Sequence, residues 1–256
     1  MSITPNHAEI MQHIKSLAEG RKVVLNVGCG EDKPGRIHAE FKDEAQWFEL
    51  RLDMNASVKP HILGDLSDLS MLPDGAVDAV LSSHNIEHLF AHQVSVTLKG
   101  FFRVLKFGGQ LILLCPDLQT IAAFIAQGKL ETTLYTSPSG AISALDMVYG
   151  LSKAIEGGNP FMAHRTGFTH ETLAMKLKEA GFSNLIITRD RFDMEVVARK
   201  LPMNHAQRRD NVQVKLSERF NPREAVAVTV DNLVQLPHPG LTVRGKMADE
   251  LDIPPV

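Results

Sequence analysis

"KVVLNVGCG", Lys22 to Gly30, is the stretch on which the fold turns. It is a short apolar run, rich in β-branched residues, that stops abruptly at glycines. That is the pattern of a strand buried on both faces that enters a tight loop. A glycine pair there lets the backbone pass close to a ligand and turns amide donors towards it.

Outward from this strand the same alternation recurs. On the N-terminal side, Ile10, Ile14 and Leu17 keep a helical period and Gly20 stops it. On the C-terminal side, "WFELRLD" ends on Asp53, "HILGD" on Asp65 and "AVDAVLSS" on Ser83, the last preceded by the turn "LPDG". Phe90 to Lys106 reads as a helix through Val94, Leu98, Phe101, Phe102 and Leu105, with Gly108-Gly109 ending it. "QLILLC" is a further buried strand, and a helix is expected after Asp117, running to Ala126. Residues 128–166 have weak periodicity and read as an insertion or lid. Thr169 is an N-cap and Gly181 a stop for the next helix; "NLIITRD" and "MEVVARK" then pair as an antiparallel hairpin. The expectation is an α/β fold: a doubly wound, mostly parallel sheet of seven strands, with helices on both faces and the last strand antiparallel.

Residues 1–200 complete that domain. Residues 201–256 read as an extension whose alternating stretches "NVQVKL" and "AVAVTV" pair with each other. They would close over an acceptor site or build a homodimer contact, slightly favouring the second.

The composition excludes several classes. With 44% hydrophobic and 22% charged residues, the 256-residue chain buries an ordinary core. A net charge of −3 leaves no footprint for nucleic acid. No apolar run approaches the ~20 residues of a membrane span, and the polar N-terminus has no signal core. Cys29 and Cys115 sit in or beside apolar runs, which reads as buried thiols and a cytoplasmic protein rather than a disulfide framework.

In an open parallel sheet the ligand sits beyond the carboxyl ends of the strands, so those ends carry the chemistry. Asn26, Gly28, Cys29 and Gly30 form the first. Asp53, roughly 20 residues beyond the second glycine, is placed to accept both hydroxyls of a ribose. Asp65, with the Leu66 backbone beside it, either accepts from an adenine amino group or simply caps a turn. Ser82, Ser83 and His84 open the loop that leaves the fourth strand at the ligand edge. Lys33 stands where a dinucleotide fold needs a small residue, which speaks against NAD.

"LSSHNIEHLF" contains H-x-x-E-H in His84, Glu87 and His88, the spacing of one class of zinc hydrolases. Zinc chelation at that spacing needs both imidazoles on one helix, whereas a strand-end loop is expected here. A third ligand is not evident at any motif spacing. No metal is therefore expected, and the cluster reads as the floor of a pocket. His84 is the candidate base, or else a residue joining two loops. Glu87, His88 and Asp117 would bind an acceptor or orient the imidazole. His164 either reaches the same pocket from the insertion or is an ordinary polar residue ahead of a helix.

Taken together, "VVLNVGCG", Asp53, "GDLSDLSMLPDGAVDAVLSSHNIEHL" and "RVLKFGGQLILLCPDL" resemble the class I S-adenosylmethionine-dependent methyltransferases over about residues 20–200. Within them the chain looks most like a bacterial subgroup reading "LNxGCG", "PG" (Pro34-Gly35), "SSHxxEH" and "PDL". The resemblance implies a Rossmann-like methyltransferase fold, S-adenosyl-L-methionine as cofactor and S-adenosyl-L-homocysteine as product. The acceptor would be a small molecule or a glycan. It further implies that the glycine loop cradles the amino-acid end, Asp53 the ribose and the Asp65 turn the adenine. Two positions depart from the pattern: Asp32 replaces the third glycine, and Phe107 replaces a proline before Gly108. The rival readings are a non-catalytic cofactor-binding module and a dinucleotide-dependent oxidoreductase.

Overall fold

The computed structural model describes residues 6–33, 37–202 and 212–217. These belong to the compact unit Met1–Val226; Ala227–Val256 lies outside the described residues, as do Pro34-Gly35 and "AVAVTV".

Helix α1 (His7–Ala18) begins where Asn6 caps it, its side-chain oxygen accepting from the Ala8 and Glu9 amides. Then come β1 (Lys22–Val27), β2 (Trp47–Asp53), the short β3 (Ile62–Leu63) and β4 (Val77–Ser83). Helix α2 (Ala91–Val104) leads into β5 (Leu105–Pro116), and α3 (Leu118–Ala126) follows. The insertion holds a hairpin, β6 (Thr133–Ser137) with β7 (Gly140–Ser143), and two short helices, α4 (Ala144–Tyr149) and α5 (Ser152–Glu156). Helix α6 (His170–Glu179), capped by Thr169, precedes β8 (Ser183–Asp190), β9 (Asp193–Arg199) and β10 (Val212–Leu216).

The main sheet runs β10-β8-β9-β5-β4-β1-β2-β3, and only β9 is antiparallel to its neighbours. From β1 the chain winds to β2 and β3 on one side, then crosses to β4 on the other. The switch point is therefore the crevice beyond Val27 and Ser83, where such sheets bind ligands. β1 is buried along all but its first residue. Leu25 and Val27 face the main core with α1, α2 and α6, while Val24 meets Phe41 and Trp47 on the other face. The insertion packs on α3 through a separate cluster of Ile121, Phe124, Ile142, Met147 and Phe192.

Two expectations need correction. The sheet has eight strands rather than seven. The eighth is β10, from the extension, which runs parallel to β8 with Val212 opposite Leu185. β8 would otherwise present a bare edge, and an alternating strand from the same chain satisfies those backbone groups. Helix α2, for its part, stops at Val104, ahead of the glycines, because Leu105 already pairs with Val77. Gly109 instead serves a close approach inside β5: a Cβ there would lie 2.8 Å from the Asp78 carbonyl oxygen. Among the described residues no helix is long and apolar enough to cross a membrane.

Candidate functional site

The glycine loop is built by conformations that side chains resist. Gly28 and Gly30 both have φ of +61°, a left-handed geometry that costs other residues about 1–2 kcal/mol. The loop is then tied to β2. The Cys29 amide donates to the Leu52 carbonyl at 3.1 Å and the Gly30 amide to Asp53 Oδ2 at 2.8 Å. Arg51, buried beneath, donates to the Gly30 carbonyl. Asp53 Oδ1 accepts from the Asn55 amide, so both carboxylate oxygens already hold a loop. A carboxylate offers about four acceptor sites, which leaves capacity for a ligand's hydroxyls.

Cys29 is buried, and burial pushes its thiol up, reinforced by the Asp53 and Glu49 carboxylates against the opposing Arg51 charge. Asn26 lies behind the loop, where its amide donates to Glu49 at 2.6 Å. Asp65 is exposed and accepts from the Ser67 amide, closing a local turn, and Leu66 packs partly against the main core.

Beneath the loop lies a residue that sequence reasoning passed over. Asn85 is buried, accepts a hydrogen bond from the Ser82 hydroxyl on its Oδ1, and donates from its Nδ2 to the Val27 carbonyl. It thereby bridges the ends of β4 and β1 across the switch point. Its place inside "HNIEH" was the only available signal. Ser82 is consequently engaged in structure, while Ser83 is exposed at the edge.

His84 has φ of +50°, and its amide donates to the Leu114 carbonyl. It therefore stands clear of the 3₁₀ turn Ile86–His88 that carries Glu87 and His88. Its Nδ1 lies 3.6 Å from Glu87 Oε1, with the ring 47% exposed and the Glu87 side chain 2% exposed. Burial would lower the His84 pKa. The adjacent Glu87 carboxylate and the Asp193 charge outweigh this and push it up to about 8.

The insertion returns to this turn. Arg165 and Thr166 amides both donate to the Glu87 carbonyl, at 2.8 and 3.1 Å. That brings the His164 ring to 4.9 Å from the His88 ring. Burial lowers the His164 pKa, with the neighbouring histidines acting in the same sense. Asp193, at the start of β9, was also missed. Burial, together with the Glu87, Asp190 and Asp117 charges, raises it to about 6. No spacing announces it, because only antiparallel pairing with Pro116 brings it to this edge.

Asp117 does not join the open cluster. It is fully buried, caps α3 through the Gln119 and Thr120 amides, and pairs with Arg189 at 2.7 Å. Thr120 Oγ1 donates to its second oxygen. Its carboxylate is thereby fully occupied within the fold.

Residues 25–113, from the first strand through most of β5, match the family model described as a methyltransferase domain. The chain carries a methyltransferase domain. That segment of this methyltransferase contains the glycine loop, Asp53, Asn85 and the whole His84–His88 turn. Among solved structures, an S-adenosylmethionine-dependent methyltransferase from Archaeoglobus fulgidus is similar at 16% identity and a TM-score of 0.50, over 76% of this chain and 95% of that one. This likeness shows the fold. A Burkholderia thailandensis 1,6-didemethyltoxoflavin-N1-methyltransferase, with that compound and S-adenosylhomocysteine bound, has 15% identity and a TM-score of 0.43, covering 77% and 80%. A Methanosarcina mazei S-adenosylmethionine-dependent methyltransferase has 18% identity and a TM-score of 0.44, covering 75% and 98%. No curated protein matches the chain.

Proposed function

We propose that this methyltransferase uses S-adenosylmethionine and methylates a small-molecule or glycan acceptor above the His84–His88 turn. The observation that carries the cofactor is the Gly30 amide held on Asp53, in a loop whose glycines Gly28 and Gly30 both have positive φ. Close packing beneath the loop also requires the glycine: a Cβ at Gly28 would sit 2.9 Å from Asn85 Nδ2. The subgroup suggested by "SSHxxEH" and "PDL" goes with this reading. A cytoplasmic setting does too, since Cys29 and Cys115 are both buried and unpaired with each other.

The bound cofactor supplies an activated methyl on a sulfonium with a neutral leaving group. The chain's own contribution is placement. The glycine loop and Asp53 fix one partner, and the turn holds the acceptor near ~3–3.5 Å and on axis. Where the acceptor must lose a proton, His84 is the group placed to take it. Glu87 sits at its Nδ1, leaving Nε2 for the acceptor.

Calorimetry with S-adenosylmethionine, S-adenosylhomocysteine and NAD tests the cofactor. Both sulfur compounds should bind, and Asp53→Ala should weaken them about 10–100-fold through lost charge-assisted bonds. Tighter NAD binding, or an unchanged Asp53→Ala affinity, would remove the assignment.

A further inference from the structure

The Glu87 carboxylate poses a problem that methyl transfer does not solve. Its side chain is 2% exposed, yet Oε2 has no hydrogen-bond partner. A buried carboxylate oxygen without a partner is costly, so a ligand of some kind is expected against it.

The surroundings state the chemistry of that ligand. One potential ligand atom each from Glu87, His88 and His164 lie within 4.8 Å of one another. The two imidazoles are already set for the task. His88 Nδ1 lies 3.2 Å from the Ala163 carbonyl and His164 Nδ1 2.9 Å from the Met147 carbonyl. A carbonyl only accepts, so each Nδ1 carries the proton and each Nε2 is left with its lone pair. That is the outer-shell arrangement of metal-bound histidines, in which a backbone carbonyl fixes tautomer and ring orientation. The backbone holds the trio together. The His164 amide donates to the Tyr149 carbonyl, and the next two amides to Glu87. His84 faces Glu87 Oε1, which leaves Oε2 for something else.

We infer that Glu87, His88 and His164 form a binding site for a divalent first-row transition cation, with zinc the best fit. Two imidazoles and one carboxylate suit zinc, and a three-ligand set leaves a coordination position open. Magnesium and calcium, which require oxygen ligands, do not fit. Ligands on one zinc sit about 2.0–2.2 Å from it, so closing onto the ion asks for side-chain shifts of about an ångström. The site departs from the expectation drawn from H-x-x-E-H. His84 is not a member, and the remote third ligand comes from the insertion. The inference stands whether or not the methyl-transfer reading holds, because its test uses metal alone.

The test titrates metal-free full-length chain with Zn²⁺, Mn²⁺ and Mg²⁺ by calorimetry. Metal is then counted by elemental analysis, and Zn²⁺-soaked crystals are searched for the anomalous peak. One zinc per chain should bind, manganese more weakly and magnesium not at all. His88→Gln and His164→Gln should each weaken zinc by at least the ~10–100-fold that follows loss of an outer-shell partner. His38→Gln, which alters a histidine paired with Glu195 elsewhere, should leave it unchanged. Should either site variant fail to fold, the anomalous peak in the wild-type chain decides alone. Absence of zinc binding, a peak away from this trio, or full affinity in both folded variants overturns the inference.

Discussion

Gly28→Ala tests the glycine loop most directly, because the structure provides an internal control. Gly28 (φ +61°) and Gly20 (φ +84°) both occupy the left-handed region, but only Gly28 is crowded. A Cβ at Gly28 would lie 2.9 Å from Asn85 Nδ2 and 3.1 Å from Asn85 Cβ, whereas at Gly20 it would meet nothing within 4 Å. Gly20→Ala should therefore lose only the conformational cost, about 1–2 kcal/mol. Gly28→Ala should lose that and also push Asn85 off Ser82 and the Val27 carbonyl. Each buried partner so orphaned adds about 1–3 kcal/mol, for a total of roughly 3–8 kcal/mol. Urea unfolding gives both values on one scale, and the slope should not change between variants. Calorimetry should show S-adenosylhomocysteine weakened in Gly28→Ala alone. In the double variant Gly28→Ala/Asn85→Ala the Nδ2 contact is gone and only the approach to Cβ at 3.1 Å remains, so its loss should be less than the sum of the singles. Equal losses for Gly20→Ala and Gly28→Ala, within about 0.5 kcal/mol, would refute the packing argument.

Two further outcomes follow from groups that the cluster leaves aside. Asp117→Ala removes the carboxylate partner of the largely buried Arg189 and the α3 cap. It should destabilise by about 3–5 kcal/mol, or roughly 6–20 °C in melting temperature, and a melting curve close to wild type would show that the pair contributes little. Asp146 has a carboxyl that burial alone would raise, but hydrogen bonds from Ser143 and Ser152 hold it down at about 2, against an ordinary 3.8. A depressed folded pKa stabilises fully above the unfolded value and fades as pH falls through the folded one. The stability gap between wild type and Asp146→Asn should thus be widest above about pH 4 and shrink towards pH 2. A gap that stayed constant over that range, by thermal melts, would count against the hydrogen-bond account.

The strand-then-glycine run of Lys22 to Gly30, the later strand ends at Asp53 and Ser83, and the cap at Thr169 were all legible before any coordinates. Each depends on a backbone preference or side-chain period that acts within a few residues. Placing Gly28, Gly30 and Asp53 together needed only the rule that strand ends in a parallel sheet share one edge.

Folding decided the rest, for a reason common to every case: two residues far apart in sequence acquire a shared chemistry only when packing brings them into contact. Asp117 reads as a pocket acid until Arg189 arrives from β8 and occupies it. Asn85 reads as a loop polar residue until β1 lies beside β4 and offers the Val27 carbonyl. Asp193 reaches the edge through the antiparallel pairing of β9 with β5, and β10 finds its place because β8 has an open side. His164 sits at no motif spacing from His88, yet the amides of Arg165 and Thr166 on Glu87 bring the two rings together. Local pattern determined which elements form and where their ends face; the hydrogen bonds between distant elements determined which side chains remain available for chemistry.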